Sequence, residues 1–142
     1  MRYNGHMAIK IKAEYVSPED LKTYCGLDLY EELGGNITPD FFMRDREDEI
    51  IRYVNIQSWR PISLWIKRNK YNPEQMDGLR TAILEQAKYV FENGDVLANN
   101  GIDPEQGVKF GTHERREASI SPKAIDILKM NGIVLMSMRS TY

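Results

Sequence analysis

The hexapeptide Arg44-Asp45-Arg46-Glu47-Asp48-Glu49 puts four carboxylates within six residues. Carboxylates this close can hold a divalent cation or share acid–base work. On a helix, Arg44 and Asp48 stand four residues apart, as do Asp48 and Arg52, and Asp45 and Glu49. Charges at that spacing make a solvated face laced with salt bridges, and that is the reading adopted for this segment. His113-Glu114 offers half of a metal site, but a structural zinc needs four ligands, and no second histidine or cysteine stands nearby. Cys25 is the one cysteine. It falls at an expected helix end rather than a start, where a thiolate gains nothing from the helix dipole, so it reads as a half-buried structural residue. Neither a phosphate-binding glycine loop nor a Gly-x-Ser-x-Gly elbow is present.

The stretch SWRPISLWIKRNKY (58–71) combines two tryptophans and a tyrosine with Arg60, Lys67, Arg68 and Lys70, and Arg52 lies just upstream. Such a mixture suits three roles: tryptophans capping a core, a protein interface rich in Trp, Tyr and Arg, or a stacking and neutralising surface for nucleic acid.

The totals narrow the class. The chain has 142 residues, 42% of them apolar and 28% charged, with 19 basic and 21 acidic side chains for a net charge of −2. That suits one globular domain with a core of several helices. No overall positive footprint favours nonspecific nucleic-acid binding. One cysteine excludes an intrachain disulfide framework. No run of 18 apolar residues and no signal-peptide stretch is present, so a soluble intracellular product is expected. Gly5-His6-Met7 resembles a cloning remnant, which would put the native start at Met7.

Four of the six prolines follow a capping residue: Ser17-Pro18, Thr38-Pro39, Asn72-Pro73 and Ser121-Pro122. A side-chain oxygen at N-cap satisfies an unpaired N–H of the first turn, and proline at N1 lacks the N–H that would have gone unpaired. These pairs predict helices over about 18–24, 39–57, 73–93 and 122–130. Asp20 completes a capping box with Ser17, and Gly26 stops the first helix. LDLYEELGGN (27–36) adds a further turn. Met43, Ile50, Tyr53, Val54 and Gln57 share one face of the second helix. Met76, Leu79, Ile83, Ala87, Val90 and Phe91 form the stripe of the third. Ala124, Ile125 and Leu128 face inward from the fourth, which Asn131-Gly132 ends. Residues 58–72 read as a non-helical connection. Residues 94–120 read as a long loop, with a short strand over 108–110. VSPEDLKTYCG (16–26) and SISPKAIDILKMNG (119–132) share capping chemistry but differ in length and pattern, so they are not a tandem repeat.

The order of the parts carries a resemblance. YVSPEDLKTYCGL (15–27) is followed by IIRYVNIQSW (50–59), GLRTAILEQAKYVFENG (78–94), VKFG (108–111) and SISPKAIDILKMNGI (119–133). From about Tyr15 to Leu135 this series resembles the head–tail connector proteins of tailed bacteriophages, also called adaptor or head-completion proteins. The resemblance implies a small helical bundle that assembles as a ring, expected as a dodecamer, beneath the portal protein. It further implies a platform for a stopper or tail-completion protein, a channel through which genomic DNA passes without tight binding, no catalysis and no cofactor. The location implied is the virion neck, after synthesis in the host cytoplasm. The loop at 94–118 and the charged hexapeptide depart from the usual pattern of that family.

The expected organisation is an N-terminal extension (1–14), a mainly α domain of about four helices (15–135) and a C-terminal tail (136–142), the last an extended segment or part of a short β-hairpin. A ring needs two different faces that meet. Arg44, Asp45, Arg46, Glu47 and Asp48 of one subunit against Lys67 and Arg68 of the next are the expected contact. Val134, Leu135, Met136, Met138, Arg139 and Tyr142, or the 94–118 loop, are expected to dock on the portal. The alternative for the tail is packing on its own core. The rival function is a small helical nucleic-acid-binding module, a packaging accessory or regulator, using Arg60, Lys67, Arg68 and Lys70. A small enzyme ranks third.

Overall fold

A computed structural model describes residues 11–33, 35, 37–58, 62–68, 71–93 and 120–134. Among the described residues six helices follow in order: α1 (Pro18–Cys25), α2 (Leu29–Glu32), α3 (Pro39–Ser58), α4 (Ile62–Lys67), α5 (Pro73–Glu92) and α6 (Pro122–Met130). The fold is mainly α, and all four Pro-led helices start where their capping pairs stand.

Each start is built by its cap. Ser17 Oγ accepts from Asp20 N at 3.1 Å while Asp20 Oδ2 accepts from Ser17 N at 2.9 Å, a closed capping box. Asn72 and Gln75 repeat the arrangement at α5, at 2.8 and 3.1 Å. Thr38 Oγ1 accepts from Phe41 N at α3, and Ser121 Oγ from Ala124 N at α6. Gly26, with φ 83°, ends α1 in the left-handed region that a side chain disfavours. Asp28 caps the single turn of α2.

The core gathers around α5, on which α1, α3 and α6 all pack. Residues Ala82 to Ala87 are all buried, so this helix is enclosed on every side over nearly two turns. Leu79 and Ile83 meet Met43, Ile50 and Val54 of α3, Leu21 of α1 and Leu128 of α6 in one apolar cluster. Each such side chain, fully removed from water, contributes about 1.5–3 kcal/mol. α6 runs antiparallel to α5: Ser121 lies against Gln86 at one end, and Asn131 against Gln75 and Gly78 at the other. A Cβ on Gly78 would come within 2.6 Å of the Asn131 side chain, so glycine permits this close crossing.

Several sequence expectations fail within the fold. Residues 62–67 form a helix, where a connection was expected; Ile62 is 1% exposed and Ile66 packs on the core, which draws the segment into a turn that its short pattern does not announce. Gln57 and Phe91 close their stripes on the outside, both exposed. Cys25 is exposed rather than half-buried, its Sγ near the Leu21 carbonyl at 3.5 Å. Residues 1–10 and 94–119 lie outside the described residues, and with them the strand expected at 108–110 and His113-Glu114.

Candidate functional site

The charged segment of α3 is not a uniform wet face. Glu47 is 0% exposed. Its carboxylate accepts from Glu14 N at 2.8 Å and from Tyr15 N at 2.7 Å, fastening the segment before α1 to α3. This corrects the expectation that Glu47 stands at a subunit surface: the chain's own backbone occupies the carboxylate, because a buried charge is tolerated only where hydrogen bonds replace water. Arg46 also turns inward, with a side chain 13% exposed. Its Nη2 donates to Glu49 Oε2 at 3.0 Å, and its guanidinium lies 4.8 Å from the Phe42 ring centre. Its Nε lies 2.9 Å from Glu49 Oε1, an ion pair too poorly aligned to be a hydrogen bond.

That pair opens a chain of hydrogen bonds through the core. Gln86 Nε2 donates to Glu49 Oε1 at 2.9 Å, and Gln86 Oε1 accepts from Ser121 N at 2.8 Å. The hexapeptide is thereby wired to α5 and to the start of α6. Arg44 remains nearer the surface, paired with Asp45 at 2.7 Å and stacked over Phe41 at 4.6 Å. Asp45 and Asp48 are half-exposed.

Lys67 and Arg68 are exposed at the end of α4, so the structure leaves both on the surface. Val134 is 2% exposed and belongs to the core, following Ile133, whose N–H donates to the Leu128 carbonyl at 2.9 Å. As a docking residue Val134 is therefore corrected: in this chain it faces inward. Leu135, Met136, Met138, Arg139 and Tyr142 lie outside the described residues, as do Arg60 and Lys70. Trp65 and Tyr71 are half-buried, and Tyr71 packs against the core, which favours a capping role for this part of the aromatic-basic stretch.

One further polar cluster escapes the sequence reading. Glu85 of α5 is 5% exposed, accepts the Tyr24 hydroxyl hydrogen bond from α1 and pairs with Lys123 of α6 at 3.6 Å. Partial burial, then the hydrogen bond and charge of Glu85, push the Tyr24 phenol up to about 12. The Tyr30 phenol is raised as well, by desolvation and then by the charges of Glu19, Asp40 and Asp28. No sequence signal marks Glu85: it stands outside the apolar stripe of α5, and its burial comes from the packing of α1 and α6 on that helix.

A cleft of about 320 Å³ lies between residues 12–18 and the start of α3, lined among others by Lys12, Tyr15, Asp20, Asp40 and Met43. Among the described residues no group of three or more His, Cys, Asp or Glu could hold a metal ion, and no helix is long and apolar enough to cross a membrane. No protein-family model matches the sequence, and neither a curated protein nor a solved structure matches the chain.

Proposed function

We propose that this chain is a ring-forming head–tail adaptor: a structural, non-catalytic protein that docks beneath a portal in the virion neck, extends the DNA channel and presents a platform for a stopper or tail-completion protein. One observation carries the reading. Of the five segments whose order gives the resemblance, the described parts of four (15–27, 50–59, 78–94 and 119–133) contribute most of the packed core, with α1 and α6, the two Ser-Pro helices, both seated on α5, while 108–111 lies outside the described residues. That these four segments pack together supports the reading. A net charge of −2 also suits a conduit, since strong phosphate neutralisation in the lining would hold the genome back.

The reading predicts where the protein is found. Quantitative mass spectrometry of virions of the phage that encodes it should detect the chain in complete particles, at a copy number close to that of the portal subunit. Its presence only in the infected-cell lysate, and absence from purified virions, would contradict the proposal.

A further inference from the structure

The charges of this chain are sorted along α3. Residues 14–49 hold eleven acidic and three basic side chains, whereas residues 50–73 hold five basic and no acidic ones. α3 crosses that boundary. A helix of its 20 residues is about 30 Å long. That exceeds the Debye length of about 8 Å at physiological salt, so neither pole neutralises the other within one chain.

The acidic pole surrounds Tyr30, which is 59% exposed. Glu19, Asp28 and Asp40 stand close enough to act on its phenol. Lys22 pairs with Asp28 at 3.3 Å, while among the described residues no cation pairs with Glu31, Glu32 or Asp40. The basic pole holds Arg52, Lys67 and Arg68, all exposed and, among the described residues, without a carboxylate partner. Ile62 N donates to Asn55 Oδ1 at 2.7 Å, which ties α4 to the last turns of α3 and keeps its cations at that end. Each pole also exposes apolar surface: Tyr30 and Ile37 at one, Ile56 and Leu64 at the other.

The middle of α3 is not the acidic partner. Asp45 and Glu49 are paired within the chain, and Glu47 is buried. The helix dipole alone does not account for the poles, because its effect fades within a turn and Glu31, Glu32, Lys67 and Arg68 belong to other elements.

We propose that the basic pole of one copy docks on the acidic pole of a second copy, head to tail, through Lys67 and Arg68 against the Glu31–Glu32 surface beside Tyr30. Such a contact joins two different faces, and its repetition builds a ring when the rotation between neighbours closes. The proposal rests on the ring-forming reading above and names its subunit contact. A second copy is favoured over nucleic acid because both complementary surfaces stand on one chain, each with apolar side chains that a polyphosphate would leave uncovered.

Charge reversal tests it. Lys67→Glu/Arg68→Glu makes both poles acidic, and Glu31→Lys/Glu32→Lys makes both basic; circular dichroism checks that each variant folds. Sedimentation at low ionic strength should show the wild type associating and releasing on added salt. Each reversed variant alone should associate at least about tenfold more weakly, and an equimolar mixture of the two, or a chain carrying all four changes, should recover association. A wild type that stays monomeric up to about 1 mM overturns the contact, as do variants that associate like the wild type. Binding of a short DNA duplex that depends on Lys67 and Arg68, without self-association, overturns it in favour of nucleic acid. The outcomes separate from the adaptor reading: charge-dependent association without portal binding removes the portal assignment alone, and portal-bound rings indifferent to the reversals remove this contact alone.

Discussion

Glu47 is fully buried on α3, where the backbone 32 and 33 residues earlier in the chain meets its side chain. Its carboxylate serves the backbone of Glu14 and Tyr15, so Glu47→Ala should leave two donors unpaired and cost about 3 kcal/mol of stability. Glu47→Gln, which keeps one carbonyl acceptor, should cost clearly less; urea denaturation of the two variants gives the comparison. Equal midpoints for wild type and Glu47→Ala would rule out the clamp. Tyr24 makes a second residue-level prediction. Its phenol ionises at about 12 in the folded chain and near 10 when unfolded. The folded state therefore holds the proton more tightly, and the associated stability is intact below pH 10 and lost as pH rises from about 10 to 12. Tyr24→Phe should remove that component of the alkaline decline, measurable as a shallower loss of stability over that window.

At the scale of elements, local chemistry decided what could be read. The four Pro-led helices were legible because a cap and a proline act within one turn, and their bounds differ from expectation by at most one residue. α4 was not legible. Its six residues span fewer than two turns, too short for a period to emerge, and its helicity comes with the burial of Ile62. The network from Arg46 through Glu49 and Gln86 to Ser121 was equally hidden, since its two long links join α3 to α5 and α5 to the start of α6. The antiparallel crossing of α5 and α6 yields a sign that propensity alone would get wrong. Gly78→Ala should favour a helix interior by about 1 kcal/mol. Here the added methyl meets Asn131 at 2.6 Å, whose Nδ2 is bonded to the Ile127 carbonyl at 2.8 Å, so the substitution should destabilise. A raised melting temperature for Gly78→Ala would contradict this packing. Ser121→Ala, by removing the α6 cap, should cost about 1 kcal/mol.

For the molecule as a whole, charge is balanced in total and unbalanced in space, and totals cannot reveal that. Dividing the chain at residue 72 leaves each half near neutral, while α3 carries an acidic region into a basic one. The adaptor proposal joins this polarity to a helical core built from the segments that carry the resemblance. Its most direct test mixes the purified chain with its cognate portal and measures the mass of the complex, with the chain alone as control. A complex holding about one copy per portal subunit is expected, as a ring matched to the portal requires. Absence of any complex across a range of salt concentrations would contradict it.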